Sequence, residues 1–105
     1  MKWRCAINPI DISLICKSLG DSTRLQILQL LSEGEKCACN ILEAFHITQP
    51  TLSYHMKNLS ESALVNVRKE GKWSYYSINC ETLKAFKAFF GELTCTYNRG
   101  NCTCD

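Results

Sequence analysis

The 105-residue sequence lacks both a strong net charge and an apolar run long enough to span a membrane. Its formal net charge is only +2, so composition alone does not imply nucleic-acid binding. Residues 1–20 begin with basic side chains, but Asp11 and Lys17 interrupt the apolar pattern that a signal peptide needs. We therefore expect a cytoplasmic protein with no membrane partner.

The signatures of an enzyme are also missing. The sequence has no C-x-x-C pair, no Cys/His pairing typical of a nucleophile and no phosphate-binding loop. It has no repeat, low-complexity tract or internal linker, and its length fits one domain. We therefore predict a non-enzymatic domain at residues 1–94, followed by a cysteine-containing tail at residues 95–105.

Cysteine, in contrast, is abundant, with eight residues in the chain. In a small secreted protein this number would indicate a disulfide framework. In a reducing cytosol, clustered thiols more often bind metal or sense redox state. The thiols are therefore the first candidates for chemistry.

Apolar periodicity predicts five helices and one β-hairpin, a mainly α fold. Asp21 and Thr48 are expected to cap the second and fourth helices, and Glu70 and Gly71 form the hairpin turn. Cys16 lies on the apolar stripe of the first helix, so we expect it in the core. The helices are predicted at residues 11–19, 22–34, 38–45, 49–62 and 81–93.

A short helix, a tight turn, a capped helix and a hairpin together predict a winged helix-turn-helix. The fourth helix has a polar outer face that fits the major groove, and basic residues at the hairpin tip can reach phosphates. A winged helix that contacts protein, with a solvated tip, is the alternative. His55 is interpreted as a hydrogen-bonded packing residue. The predicted DNA-binding residues are Gln49, Thr51, Ser53, Tyr54, Lys57, Arg68, Lys69 and Lys72.

Four successive stretches, LGDSTRLQILQLL, CACNILEAF, TQPTLSYHMKNL and VRKEGKWSYYSI, resemble signatures of the ArsR/SmtB family of metal-responsive repressors. The resemblance covers about residues 11–90. It implies a homodimer on a palindromic operator, joined through the N- and C-terminal helices and released when an inducer binds. Apolar stripes suited to that dimer interface are Ile12, Ile15 and Leu19, and Phe86, Phe89, Phe90 and Leu93.

Cys37 and Cys39 match the C-x-C of the family's arsenic- and antimony-responsive branch and of its cadmium- and lead-responsive branch. Thiolates select soft ions; three suit As(III) or Sb(III), and four suit Cd(II) or Zn(II). Residues i and i+2 do not face each other on a regular helix. We therefore expect the start of the third helix to unwind or bend when both sulfurs bind one ion, which would disturb the DNA-reading helix packed against it.

The family pattern is incomplete in this sequence. The third cysteine of the arsenic branch is replaced by Leu42, so the third thiolate must come from elsewhere. The resemblance offers an N-terminal cysteine of the partner subunit or C-terminal cysteines. The family's zinc site on the last helix is not expected, because its positions fall at Cys80, Thr82 and near Leu93. The candidate metal ligands are Cys37, Cys39, Cys102, Cys104, Cys95 and Cys5.

These observations predict a dimeric repressor that is released from operator DNA by As(III) or Sb(III). Alternatives of the same fold are a repressor responsive to Cd(II), Pb(II) or Zn(II), and one whose thiols sense oxidants or reactive sulfur. A further hypothesis is a protein that buffers or delivers soft ions without DNA. The polar helix face and the basic hairpin tip argue against this last hypothesis.

Overall fold

The computed structural model describes residues 9–95, which form five helices and a three-stranded antiparallel sheet. The predicted mainly helical winged helix-turn-helix is confirmed. None of the helices in residues 9–95 is long and apolar enough to cross a bilayer. The helices are α1 (Pro9–Ser18), α2 (Ser22–Leu31), α3 (Ala38–Phe45), α4 (Gln49–Glu61) and α5 (Cys80–Gly91), and the strands are β1 (Lys36–Cys37), β2 (Val65–Glu70) and β3 (Trp73–Ile78).

Both predicted N-caps are confirmed. Asp21 Oδ1 accepts hydrogen bonds from the backbone N–H groups of Thr23 at 2.8 Å and Arg24 at 3.3 Å. Thr48 Oγ1 accepts one from the N–H of Thr51 at 3.3 Å. Such caps satisfy N–H groups that have no partner within the helix, and they fix where α2 and α4 begin.

The predicted end of the second helix was wrong. Helix α2 ends at Leu31, with Ser32 as its C-cap, and does not reach Gly34. Gly34 has a φ of 133°, which no helix accommodates and which favours glycine. The chain therefore leaves α2 early enough for Lys36 and Cys37 to join the sheet.

Strand β1 was not predicted. The sheet order is β1-β3-β2, and β1 pairs with β3 through Lys36 opposite Tyr76 and Cys37 opposite Tyr75. A strand of two residues has no measurable side-chain period, so the sequence gives no signal for it. The pairing ties the segment before α3 to the hairpin.

The core lies between α1–α4 and the base of the hairpin. Ile27, Ile41, Leu59 and Leu64 are fully buried there. Cys16, which we expected in the core, is exposed. The buried face of α1 is centred on Ile15, and a helix turns about 100° per residue, so Cys16 points away from it.

Candidate DNA interface and thiol site

Helix α4 presents an apolar face to the core and a polar face to solvent. Leu52, Met56 and Leu59 are at most 2% exposed, which confirms the predicted inner stripe. The turn before α4 includes His46 in a left-handed conformation with φ 53°, and it redirects the chain from α3 into α4. The helix residues predicted to contact DNA are all exposed: Gln49, Thr51, Ser53, Tyr54 and Lys57.

A buried polar contact anchors α4 to the rest of the fold. Arg24 is 8% exposed and His55 is 7% exposed. Arg24 Nε donates to the Ser18 carbonyl oxygen at 2.7 Å, and Arg24 Nη1 lies 3.3 Å from His55 Nδ1. A guanidinium only donates, so Nδ1 accepts and the imidazole proton is assigned to Nε2. His55 is thus a hydrogen-bonded packing residue, as predicted.

The sequence analysis did not identify Arg24 as a residue that anchors α4, although its spacing in α2 indicated a buried position. The buried residues of α2 are Arg24, Ile27 and Leu31, a spacing of i, i+3, i+7. A cation on the buried face of a helix needs hydrogen-bond partners, which implies a specific polar contact. Its guanidinium carbon also lies 5.7 Å from the ring centroid of the exposed Tyr54, so Arg24 approaches the polar, solvent-exposed side of α4 as well.

The hairpin formed by β2 and β3 is the wing. The two strands pair from Val65 to Glu70, and Gly71 turns the chain with a φ of 63°. Of the residues of β2, only Val65 is buried, so the wing projects from the core. Lys69 and Lys72 are exposed at its far end, as expected for phosphate contacts.

Arg68, the third predicted basic contact of the wing, is already engaged within the protein. Its Nε and Nη2 donate to the two carboxylate oxygens of Glu35 at 3.1 and 2.9 Å, and its Nη1 lies 3.3 Å from Glu70. The guanidinium stacks 4.6 Å above the Tyr75 ring centroid. The hydrogen bond to Arg68 lowers the pKa of Glu35, and the same contact raises that of Arg68. Whether Arg68 also contacts DNA stays a prediction.

The two thiols of the C-x-C motif lie side by side at the start of α3. Cys37 is the N-cap residue, with extended backbone angles of φ −76° and ψ 151°, and Cys39 follows in the first turn. Their sulfur atoms are 2.9 Å apart. Asn40 Oδ1 accepts a hydrogen bond from the Cys37 N–H at 3.3 Å and holds the cap in place. Cys37 is buried, and Cys39 is exposed to incoming ligands.

The two thiols differ in acidity because they share one hydrogen bond. The Cys39 thiol and the N–H groups of Cys39 and Asn40 stabilise the Cys37 thiolate and lower the pKa of Cys37. The same contact raises the pKa of Cys39, because losing its proton places two thiolates together. The pair therefore releases one proton readily and the second at higher pH. A soft cation between the sulfurs offsets that repulsion.

The premise that both cysteines lie on a regular helix was wrong, and the sulfurs lie together without unwinding of α3. Cys37 precedes the helix, and its extended backbone already turns its sulfur towards Cys39. With metal–sulfur bonds of about 2.3 Å, two sulfurs on one ion lie roughly 3.4–3.8 Å apart. From 2.9 Å the pair needs to open by only roughly 0.5–0.9 Å, so its donor set fits a soft ion.

The structure brings no third metal-ligating side chain to the thiol pair within residues 9–95 of one subunit. Within residues 9–95, no group of three or more Cys, His, Asp or Glu side chains can hold a metal ion. Leu42, where the third cysteine would stand, is partly buried and packs on the core. Cys95 is exposed at the end of this range. Cys5, Cys102 and Cys104 lie outside the described residues, so all four assignments stay predictions.

Comparison with known proteins places the site in a family context. Residues 21–67 match the profile of the bacterial regulatory proteins of the arsR family. The chain is 54% identical over 69 residues to the arsenical resistance operon repressor of Staphylococcus aureus, and this alignment covers 66% of each chain. It is 39% identical over 85 residues to the cadmium resistance transcriptional regulatory protein CadC homolog of the same species, covering 78% of this chain and 70% of that one.

A solved structure resembles the fold. The homodimeric winged helix-turn-helix DNA-binding domain of a possible ArsR-family regulator from Mycobacterium bovis matches with a TM-score of 0.66 and 30% identity. The match covers 77% of this chain and 76% of that chain. The profile match spans α2, the thiol pair, α3 and α4, and it ends within β2.

Proposed function

The chain belongs to the arsR family of bacterial regulatory proteins, and from that premise we propose a homodimeric repressor of the cytoplasm that As(III) or Sb(III) releases from operator DNA. It is a transcriptional regulator and not an enzyme. The observation that carries the proposed induction is the pair of sulfurs 2.9 Å apart at the start of α3, the first helix of the helix-turn-helix.

Binding to duplex DNA is supported by two surfaces with complementary chemistry. Helix α4 offers exposed hydroxyl, amide and phenol groups that can reach base edges in the major groove. Lys57 on α4 and Lys69 and Lys72 on the wing supply cations for the phosphate backbone. A local cationic surface of this kind compensates for the small net charge of the whole chain.

The homodimer is supported by apolar side chains that the single subunit leaves in water. The prediction that Ile12 and Ile15 face the partner was wrong, because they are 5% and 1% exposed within one subunit. Leu14 of α1 is 47% exposed, Phe90 of α5 is 46% exposed and Leu93 just beyond α5 is 57% exposed. A groove of about 640 Å³ runs between α1, the end of α4 and α5. Burial of these side chains against the same surface of a second copy removes their contact with water.

The thiol pair is suited to trivalent arsenic or antimony because thiolates are soft ligands. Each thiol that bonds As(OH)₃ replaces one hydroxyl group, which leaves as water with the thiol proton. The Cys39 thiol lowers the pKa of Cys37 and the same contact raises that of Cys39, so Cys37 is the first nucleophile and Cys39 follows. We propose that a third thiolate is supplied by Cys95, Cys102, Cys104 or Cys5.

Release of a fluorescent operator duplex, followed by anisotropy, tests the proposal. The DNA is taken from upstream of the protein's own gene, and arsenite, antimonite, Cd(II), Pb(II), Zn(II) and peroxide are added separately. Arsenite and antimonite are expected to lower the affinity in the wild type and to have no effect in Cys37→Ser/Cys39→Ser. Cys80→Ser is the matched control, because Cys80 is an exposed thiol on another helix.

The other results identify the competing functions. Release by Cd(II), Pb(II) or Zn(II) but not by arsenite would assign the pair to a divalent metal, as the name of the cadmium relative suggests for that protein. Release only by peroxide, reversed by dithiothreitol, would make the pair a redox switch. Failure to bind any DNA from that region would favour a protein that buffers soft ions.

A further inference from the structure

One row of side chains crosses the sheet from the thiol pair to the wing. Cys37 on β1 lies opposite Tyr75 on β3, and Tyr75 lies opposite Arg68 on β2. Residues opposite each other in a sheet project from the same face. The row therefore places a ligand residue, an aromatic ring and a basic wing residue next to one another.

Arg68 closes this row by reaching back to the segment that precedes Cys37. Its guanidinium carbon lies 4.6 Å from the Tyr75 ring centroid, and the guanidinium binds both oxygens of Glu35, two residues before Cys37. We call this contact the Glu35–Arg68 link. A planar guanidinium that is stacked and bidentate has a fixed geometry, so it depends on the relative position of β1 and β2.

The sulfurs already converge at the start of α3, so a displacement of Cys37 and β1 gives ligand binding a route that does not need the helix to unwind. The sulfurs must move apart by roughly 0.5–0.9 Å and must also meet a third thiolate. Cys39 lies in the first turn of α3, whereas Cys37 belongs to a strand of two residues and is held by its N–H bond to Asn40 Oδ1 and by its pairing with β3. Any displacement of Cys37 therefore moves β1 and the residues that adjoin it in the chain.

We propose that Glu35 and Arg68 are positioning residues that transmit ligand binding at Cys37 and Cys39 to the wing. Displacement of β1 by the ligand moves Glu35 with it and breaks the Glu35–Arg68 link. The wing, which has few buried residues of its own, then loses the orientation that suits DNA. This inference rests on the proposed function and specifies how the same site is regulated.

The test compares operator affinity with and without arsenite in the wild type and in Glu35→Gln. The ratio of the two dissociation constants measures the coupling between the sites. We expect Glu35→Gln to reduce this ratio by about threefold, which fits an exposed ion pair. Arsenic bound per subunit, counted by mass spectrometry, and the melting temperature should stay as in the wild type. Glu33→Gln is the control, since Glu33 pairs with Lys36 at 3.6 Å instead.

A second variant separates the link from a general effect of charge. Arg68→Gln removes the other half of the same contact, so combining it with Glu35→Gln should reduce the ratio no further. Additive effects, or a wild-type ratio in Glu35→Gln, would overturn the inference while leaving the repressor function intact. A wild type that binds arsenite and keeps its affinity for DNA would overturn the proposed function and this inference together.

Discussion

Helix α4 and the wing both face the proposed DNA surface, but they are held in different ways. Helix α4 inserts Leu52, Met56 and Leu59 into the core and is tied to α2 by the buried contact between Arg24 and His55. The wing buries little of β2, and Arg68 holds it through ion pairs and an aromatic ring that are partly exposed to solvent.

In the proposed function, this difference makes α4 a fixed DNA contact and the wing a movable one. Moving α4 would separate Arg24 from His55 and leave buried polar groups without partners, so a change in the position of this helix is costly. Exposed ion pairs are weak, so the wing can be displaced at low cost. Cys37 lies on β1, and β1 pairs with strand β3 of the wing. The proposed inducer site is therefore next to the wing.

The largest expected effect comes from removing a side chain that holds α4 in the core. Leu59 is fully buried, and Leu59→Ala should lower the free energy of unfolding by about 2–5 kcal/mol, the usual cost of such a cavity. Urea denaturation measures this change. Leu25→Ala is the control, since Leu25 is 48% exposed and its loss should have little effect. Equal losses in the two variants would contradict the assignment of the core.

Breaking the buried polar anchor should have the next largest effect. Arg24→Met leaves the Ser18 carbonyl and His55 Nδ1 without their donor, and the expected loss of stability is about 1–3 kcal/mol. Urea denaturation is again the measurement. The comparison is Arg68→Met, which removes an exposed guanidinium and should cost much less. A larger loss from Arg68→Met would reverse the proposed roles of anchor and wing.

Lys72 at the wing tip tests the electrostatic part of DNA binding. Lys72→Ala should weaken binding to operator and unrelated DNA alike, and it should reduce the slope of log affinity against log salt by about 1. Lys87→Ala on α5 is the matched control, because this exposed lysine lies outside both predicted DNA-binding elements. An unchanged salt slope in Lys72→Ala would leave the wing tip without a phosphate contact.

The smallest effect concerns the acid dependence of the Glu35–Arg68 link. The pKa of Glu35 is lower in the folded protein than in the unfolded chain, because Arg68 favours the carboxylate. Its stabilising contribution is therefore present at neutral pH and is lost as the pH falls through that lowered value. Urea titrations of the wild type and Glu35→Gln should show a small difference that disappears in acid. A difference that persists there would contradict the ion pair.

The sequence predicts those parts of the fold that depend on local signals. The caps Asp21 and Thr48 and the apolar stripe of α4 follow from residue type and spacing, and the structure has them where they were expected. The end of α2 was wrong because the backbone conformation of Gly34 outweighs the helical preference of the residues before it. Strand β1 was missed because it exists only by pairing with β3, almost forty residues later.

The thiol site illustrates the same limit at the level of single residues. The C-x-C motif identifies the pair, but its geometry depends on whether Cys37 belongs to α3 or caps it, and the spacing alone does not decide this. Glu35 and Arg68 are 33 residues apart in the chain, so their contact needs the completed sheet. Arg24 shares an i, i+3, i+7 spacing with the buried residues Ile27 and Leu31. A search for hydrogen-bond partners of a cation at such a position would have indicated its role.

The central claim is that a ligand on Cys37 and Cys39 causes release of the operator. The most direct measurement is an arsenite titration of the protein–DNA complex, with the sulfur ligands of bound arsenic counted by X-ray absorption in the same samples. We expect release to follow the formation of a three-sulfur arsenic site in the wild type, and neither to occur in Cys37→Ser/Cys39→Ser. Undiminished release in that variant, or a three-sulfur site without release in the wild type, would contradict the account.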